Sequence, residues 1–128
     1  LMAPLKTATE HGDINEVKVV VDLNDFAIYF SREAIPSRKK WTDKVNAYKQ
    51  VCIIPFRREF LLKFNELPPT PLEQIESVDM LRVIEHGLKV KMIRSNYDTY
   101  SVDTETELIN VEKLMKEDKL VEEYMGIN

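Results

Sequence analysis

The sequence predicts an α/β or α+β domain in which a mixed β-sheet is flanked by helices. A run rich in β-branched residues, a short turn and a second apolar run indicate a β-hairpin. Apolar residues at helical spacing follow a cluster of prolines, and strand-like and helix-like segments alternate along the rest of the chain. The 128 residues fit one domain, and a hydrophobic content of 44% is enough to build a core.

The first part of the chain supplies the predicted strands. Residues 1–15 look irregular, and the hairpin follows as Glu16–Asp22 and Phe26–Phe30. A third strand is expected in Tyr48–Phe56, where Val51–Ile54 is continuously apolar and therefore typical of a strand that is buried on both faces. Cys52 lies within that run, so we expect an inert core residue.

The second part supplies the helices. A short helix is predicted over Arg57–Leu67, and it ends at three prolines in positions 68–71. A longer helix follows from Pro71 to His86, with Thr70 as its N-cap. Its predicted inner side consists of Leu72, Ile75, Val78, Leu81 and Ile84.

A return strand and a final helix complete the predicted order. Polar and apolar residues alternate over Lys89–Arg94, as in a half-exposed strand. Thr104 and Glu107 have capping-box spacing, which predicts the start of the last helix. A further short helical stretch is expected around Leu120–Tyr124.

Composition excludes several classes of function. With 18 basic and 22 acidic residues the net charge is -4, which gives no reason to expect a nucleic-acid or membrane partner. The single cysteine forms no internal disulfide and fits a reducing, cytoplasmic location. The three glycines are isolated, so no phosphate-binding glycine loop is present, and His11 and His86 lack the spacing of zinc ligands.

A basic segment and two sets of acids are the candidates for binding. Residues 33–47 are either a solvated loop or a cationic arm that faces an anion or a partner subunit, with Trp41 as a possible interface anchor. Asp103 precedes the last helix, where its carboxylate either favours the helix N-terminus or binds a hard cation such as Mg²⁺. The acids of the long helix are either solvated or accept hydrogen bonds from a polyol; they are Glu73, Glu76 and Asp79.

Five stretches follow one another in order over residues 15–112; they are Val17–Asp22, Tyr29–Arg32 with Ile35-Pro36, Phe56–Phe60, Pro69–Glu76 with Leu81-Arg82, and Ser101–Thr104 with Leu108. Together they resemble the CMP-Kdo synthetases, bacterial cytidylyltransferases that activate the eight-carbon acid sugar Kdo. The fourth stretch is very similar to the family's P-S/T-P-L-E-x-I-E run followed by L-R.

The resemblance implies an architecture and an activity. The chain corresponds to the carboxyl-terminal half of such an enzyme, the C-terminal part of a Rossmann-like, nucleotide-diphospho-sugar-transferase fold, without the amino-terminal CTP-binding half. The full-length enzyme would join CTP to an eight- or nine-carbon 3-deoxy-ulosonic acid, giving CMP-sugar and pyrophosphate for surface polysaccharide. This half would carry the acid-sugar site and the contacts of a homodimer, through the hairpin and the basic loop around Trp41. Alone, it is expected to be inactive, or to serve as a non-catalytic sugar-binding and dimerisation module.

The resemblance also assigns roles to single residues. Asp103 would be a carboxylate ligand of Mg²⁺, Arg32 and Lys39 would meet a carboxylate or phosphate, and Asp79 would accept a bond from a sugar hydroxyl. Three sugar-facing positions depart from the family, which usually has histidine, tyrosine and glutamine there; they are Gln50, Ile54 and Met80. Since a site tuned to one set of hydroxyls rejects another, we expect a modified relative of Kdo as substrate.

Overall fold

The computed structural model describes residues 1–37, 39, 47–97, 99–100, 102 and 104–126. They divide into two compact units, Leu1–Tyr97 and Asp98–Asn128. The first unit contains four strands: β1 (Met2–Pro4), β2 (Lys18–Val21), β3 (Ala27–Ser31) and β4 (Tyr48–Gln50). It also contains four helices: α1 (Ala8–Gly12), α2 (Arg58–Glu66), α3 (Pro71–Glu76) and α4 (Met80–Glu85). The second unit contains α5 (Glu105–Lys116) and α6 (Lys119–Met125).

The four strands form one sheet in the order β1-β4-β2-β3. Every pair of neighbouring strands is antiparallel, and Val19 of β2 lies opposite both Phe30 of β3 and Tyr48 of β4. The expectation of a mixed sheet is therefore wrong for these strands. In the described part of the chain, parallel pairing is limited to an isolated bridge between Met2 and Arg94.

The predicted hairpin is confirmed, and its turn is built by one aspartate. Asp22 Oδ1 accepts hydrogen bonds from the backbone N–H groups of Asn24 (2.8 Å) and Phe26 (2.9 Å). The bond from Phe26 is the main reason that the pKa of Asp22 lies below its usual value. Asp25 adopts a left-handed conformation with φ 57°, which aspartate tolerates better than most residues.

Residues 1–15 are more regular than expected. β1 pairs with β4, and this contact between residues distant in sequence is not predicted by any local sequence pattern. α1 begins at a capping box, in which Glu10 N–H donates to Thr7 Oγ1 (3.1 Å) and Thr7 N–H donates to Glu10 Oε2 (3.4 Å). The prediction of an irregular start missed this spacing, which is the same as the one recognised at Thr104.

The third strand is shorter than predicted. β4 ends at Gln50, and although Val51 is buried, Cys52 and Ile53 are exposed. The predictions of a doubly buried strand over Val51–Ile54 and of a core cysteine are therefore wrong. β1 and β2 pair with β4 only over residues 48–50, so the following residues have no strand beside them.

The long helix predicted from Pro71 to His86 is two helices. α3 starts at Thr70 as expected and ends at Ser77, whose φ of 52° is left-handed and stops the helix. The break turns Ile75 outward, with 77% of its surface exposed, so its assignment to the inner side is wrong. α4 then buries Met80, Leu81 and Val83 against the sheet.

The core of the first unit lies between α4 and the sheet. Its buried members are Met2, Val19, Phe30, Tyr48, Val78, Met80, Leu81, Val83 and Met92. The predicted strand over Lys89–Arg94 is an extended segment held by isolated bridges, among them Phe26 to Lys91. Full burial of a residue such as Phe30 or Leu81 contributes about 1.5–3 kcal/mol.

The helices predicted for the second unit are confirmed. α5 begins at the capping box, where Glu107 N–H donates to Thr104 Oγ1 (3.3 Å) and Thr104 N–H donates to Glu107 Oε2 (2.8 Å). α6 covers the stretch expected around residues 120–124. In the ranges given above, no helix is long and apolar enough to cross a membrane.

Candidate functional site

Two regions of the first unit are candidates for function. The first joins the end of β3 to the end of α3, and we call it the clasp; it consists of Tyr29, Ser31, Arg32 and Glu76. Glu76 accepts hydrogen bonds from the Tyr29 hydroxyl (3.1 Å), the Ser31 hydroxyl (2.9 Å) and the Arg32 backbone N–H (2.8 Å). Burial alone would raise the pKa of Glu76, but these bonds outweigh it and hold that pKa below its usual value.

Arg32 completes the clasp from the other direction. Its guanidinium donates to the backbone carbonyls of Glu76 (2.8 Å), Ser77 (3.3 Å) and Ile14 (3.1 Å). The first two carbonyls lie at the end of α3, where helices leave such groups without partners. The side chain that the family resemblance places in the sugar region thus binds backbone at the point where α3 ends.

A buried lysine supports the same segment. Lys18 has no exposed surface, and its ammonium donates to the carbonyls of Asp13 (2.6 Å), Glu16 (2.7 Å) and Arg32. Burial lowers the pKa of this ammonium, and the nearby Asp13 opposes that shift. The three bonds fix the residues that precede β2 to the residue that follows β3.

The Glu73 side chain also forms its contacts within the protein. It is buried, forms an ion pair with Arg82, and accepts the backbone N–H of Thr70 (3.2 Å). The bond from Arg82 is the main reason that the pKa of Glu73 is lowered. Of the three acids considered for solvent or polyol contact, Glu73 and Glu76 are therefore occupied internally, and Asp79 is exposed at the start of α4.

The second region is a cavity of about 420 Å³ between the hairpin, β4, α2, α4 and residues 89–93. This volume lies in the range of small-molecule sites. Three of the positions that depart from the family pattern line it, namely Gln50, Ile54 and Met80. Met80 is 4% exposed, and the Gln50 side-chain oxygen is buried without a hydrogen-bond partner among the described residues.

Basic residues line this cavity, and no aspartate or glutamate of the described chain does so. The ammonium groups of Lys89 and Lys91 lie 5.1 and 5.0 Å from the centre of the Phe26 ring. Arg57, which precedes α2, also lines the cavity and is exposed. The arrangement suits an anion.

The cavity brings together some of the residues assigned by resemblance and leaves others out. Gln50 and Met80 line it, whereas Arg32, Lys39 and Asp79 do not. Lys39 is exposed, and its backbone N–H donates to Ser37 Oγ (3.3 Å). Sequence reasoning did not single out the lysines of the cavity. The alternation of residues 89–94, which places two lysines on one side of an extended segment, was the available signal.

Two further predictions fall on residues that the structure does not describe. Asp103, the expected magnesium ligand, and Trp41, the expected interface anchor, both lie outside the described ranges. Among the residues within those ranges, no group of three or more His, Cys, Asp or Glu side chains is placed to bind a metal ion.

Comparison with known proteins gives consistent similarities. A family model described as "Cytidylyltransferase" matches residues 1–92. The 3-deoxy-manno-octulosonate cytidylyltransferase of Fusobacterium nucleatum subsp. nucleatum is 40% identical over 106 residues, which are 83% of this chain and 43% of that protein. The enzyme of the same name from Geotalea uraniireducens is 37% identical over 126 residues, 91% of this chain and 50% of that protein.

A solved structure is similar over the same extent. It is that of CMP:2-keto-3-deoxy-manno-octonic acid synthetase complexed with CTP, with a TM-score of 0.80 and 32% sequence identity. The match covers 91% of this chain and 47% of that one. This chain therefore spans about half the length of the relatives that it matches.

Proposed function

This chain belongs to the cytidylyltransferase family, and we propose that it is the acid-sugar-binding half of an enzyme that joins CTP to an eight- or nine-carbon 3-deoxy-ulosonic acid. The products would be the CMP-sugar and pyrophosphate, for the synthesis of bacterial surface polysaccharide. The similarity over 91% of this chain and 47% of a CTP-bound synthetase carries the proposal. The place of this chain in the C-terminal part of a Rossmann-like fold is likewise a proposal, and it rests on the order of the five stretches that resemble the family.

The reaction assigns the chain a task of binding and orientation. The anomeric hydroxyl of the sugar attacks the α-phosphate of CTP, and pyrophosphate leaves. Holding the two reactants in line removes much of the entropic cost of such a step. In this proposal the cavity holds the acid sugar, because it gathers Gln50, Ile54 and Met80, which lie where the family has sugar-facing side chains.

The clasp has a supporting task in the same proposal. It fixes the break between α3 and α4 through Arg32 and Glu76. The first residues of α4 follow directly, and Met80 of that helix lines the cavity. Arg32 would thus act on the sugar site by positioning α4.

Magnesium is the proposed cofactor, and Asp103 its proposed ligand in this chain, through the family resemblance alone. Bound Mg²⁺ would neutralise charge on the phosphates of CTP. One carboxylate is fewer than such sites usually need, so a second would come from the part of the relatives that this chain does not span. The proposed homodimer and cytoplasmic location likewise rest on the sequence.

Calorimetry with CTP tests the division of tasks. If the nucleotide is held mainly by the part of the relatives that this chain does not match, CTP titrated into the 128-residue chain will give no binding stronger than about 1 mM. The longest natural protein that contains the chain should release pyrophosphate from CTP when an acid sugar is added. Micromolar binding of CTP by the 128-residue chain would contradict the division of tasks. Absence of pyrophosphate release with every eight- and nine-carbon acid sugar would contradict the reaction.

A further inference from the structure

We infer that the cavity selects an acid sugar that carries an apolar substituent, binding its carboxylate at Lys89 and Lys91 and burying the substituent against Met80 and Ile54. This inference rests on the proposed function and names the class of substrate within it. Three observations carry it: the charges at the cavity, the character of its walls, and one buried oxygen. Together they describe a ligand that differs from a fully hydroxylated octulosonic acid.

The charges identify an anion. Lys89 and Lys91 lie two residues apart on an extended segment, so their side chains leave on the same side. Both ammonium groups lie over the aromatic ring of Phe26, and Lys91 also donates a hydrogen bond to the carbonyl of Asn24. Asp22 interacts electrostatically with both lysines, but no acid of the described chain lines the cavity itself, so a ligand carboxylate there would meet only basic charged side chains.

The walls identify an apolar group. Ile54 and Phe60, which both keep accessible surface, line the cavity together with Met80, which is 4% exposed. A sugar hydroxyl placed against these side chains loses its hydrogen bonds to water and gains none, which costs about 1–3 kcal/mol. A methyl or acyl group in the same place would instead bury apolar surface and be favoured.

The buried oxygen identifies a hydrogen-bond donor next to that group. Gln50 lines the cavity, and its side-chain oxygen has no partner among the described residues. A buried acceptor of this kind is costly until a donor reaches it. An acylamido group offers an N–H for Gln50 and a methyl for the apolar wall, so an acylamido acid sugar satisfies both features at once.

Two acid sugars serve as probes of the 128-residue chain. N-acetylneuraminate carries a carboxylate and an acetamido methyl, whereas 3-deoxy-manno-octulosonate carries the carboxylate and hydroxyls only. Dissociation constants are measured by calorimetry or ligand-observed NMR. The expected result is that N-acetylneuraminate binds about tenfold more tightly.

Variants separate the two halves of the inference. In Met80→Gln, an amide replaces the apolar wall, and the preference for N-acetylneuraminate should fall to about twofold or less. In the double variant Lys89→Gln/Lys91→Gln, both sugars should bind about tenfold more weakly, as expected for lost charge-assisted bonds. Both lysines are exposed, but each lies against the Phe26 ring and Lys91 donates to the Asn24 carbonyl, so urea unfolding of the variant is measured beside binding to separate lost contacts with the sugar from misfolding.

The inference is overturned if 3-deoxy-manno-octulosonate binds as tightly as N-acetylneuraminate or more tightly. It is also overturned if neither sugar binds, or if the lysine variant binds both like the wild type. None of these outcomes decides the proposed reaction, which is settled by pyrophosphate release from the longer protein.

Discussion

The clasp and the cavity both contain charged and polar side chains, but the two regions differ in how those side chains are bonded. In the clasp, the Glu76 carboxylate accepts three hydrogen bonds and the Arg32 guanidinium donates three, all within the protein. In the cavity, Lys89 and Lys91 face no acidic lining residue of the described chain, and the Gln50 oxygen is buried without a described partner.

The difference separates polar groups that are hydrogen-bonded within the protein from a buried oxygen that has no partner among the described residues. A buried polar group is costly unless it is hydrogen-bonded, so proteins seldom leave one unsatisfied without a functional reason. By that criterion the clasp is structural, and the cavity is the proposed binding site. Perturbation of the clasp should therefore change stability, and perturbation of the cavity should change ligand affinity.

The largest effect on stability is expected from Glu76→Ala. The substitution leaves the Tyr29 hydroxyl, the Ser31 hydroxyl and the Arg32 N–H without their acceptor. The free energy of unfolding should fall by about 2–4 kcal/mol, since each unsatisfied buried donor costs about 1–3 kcal/mol and some will reach water. Urea unfolding followed by far-UV circular dichroism measures the change.

Glu66→Ala is the matched control for that variant. Glu66 is an exposed acid at the end of α2, so its replacement should change the free energy of unfolding by no more than about 0.5 kcal/mol. Equal effects of the two substitutions would show that Glu76 is an ordinary surface acid and would remove the distinction between clasp and cavity.

A smaller effect is expected from acid. The pKa values of Glu73 and Glu76 are lower in the folded chain than their ordinary value of 4.5. Their contribution to stability is therefore complete above about pH 4.5 and is lost as the pH falls through the folded pKa values.

Urea unfolding at several pH values between 3 and 6 measures this loss. Glu76→Gln lacks one of the carboxylates whose pKa is lowered in the folded chain, so its stability should depend less steeply on pH than that of the wild type. A wild-type chain whose stability is constant from pH 6 to pH 3 would contradict the assignment of these carboxylates to internal bonds.

Local patterns predicted the parts of the fold that depend on neighbours in sequence. The hairpin, α2, the start of α3 at Thr70 and the capping box of α5 follow from turn and capping residues, and all are confirmed. β1 was missed because its pairing with β4 is fixed only by contacts distant in sequence. The break at Ser77 was missed because serine seldom adopts a left-handed conformation, and here Arg32 binds the carbonyls around it.

The sequence predicted only part of the site, because several contacts there join residues that are distant in sequence. Family resemblance pointed to Gln50 and Met80, which do line the cavity. Composition and spacing could not show that Glu73 and Glu76 turn inward, because their partners Arg82 and Arg32 become neighbours only after folding. The pairing of Lys89 and Lys91 also depends on folding, because both ammonium groups approach the ring of Phe26, which is distant from them in sequence.

The most direct test is a map of chemical-shift changes when N-acetylneuraminate is titrated into the isotopically labelled 128-residue chain. The methyl signals of Ile54, Met80 and Met92, which line the cavity, should move with a common dissociation constant. The amide signals of Ser31 and Glu76 in the clasp should move much less. Shifts centred on the clasp, with the cavity methyl signals unchanged, would contradict the assignment of the cavity as the acid-sugar site.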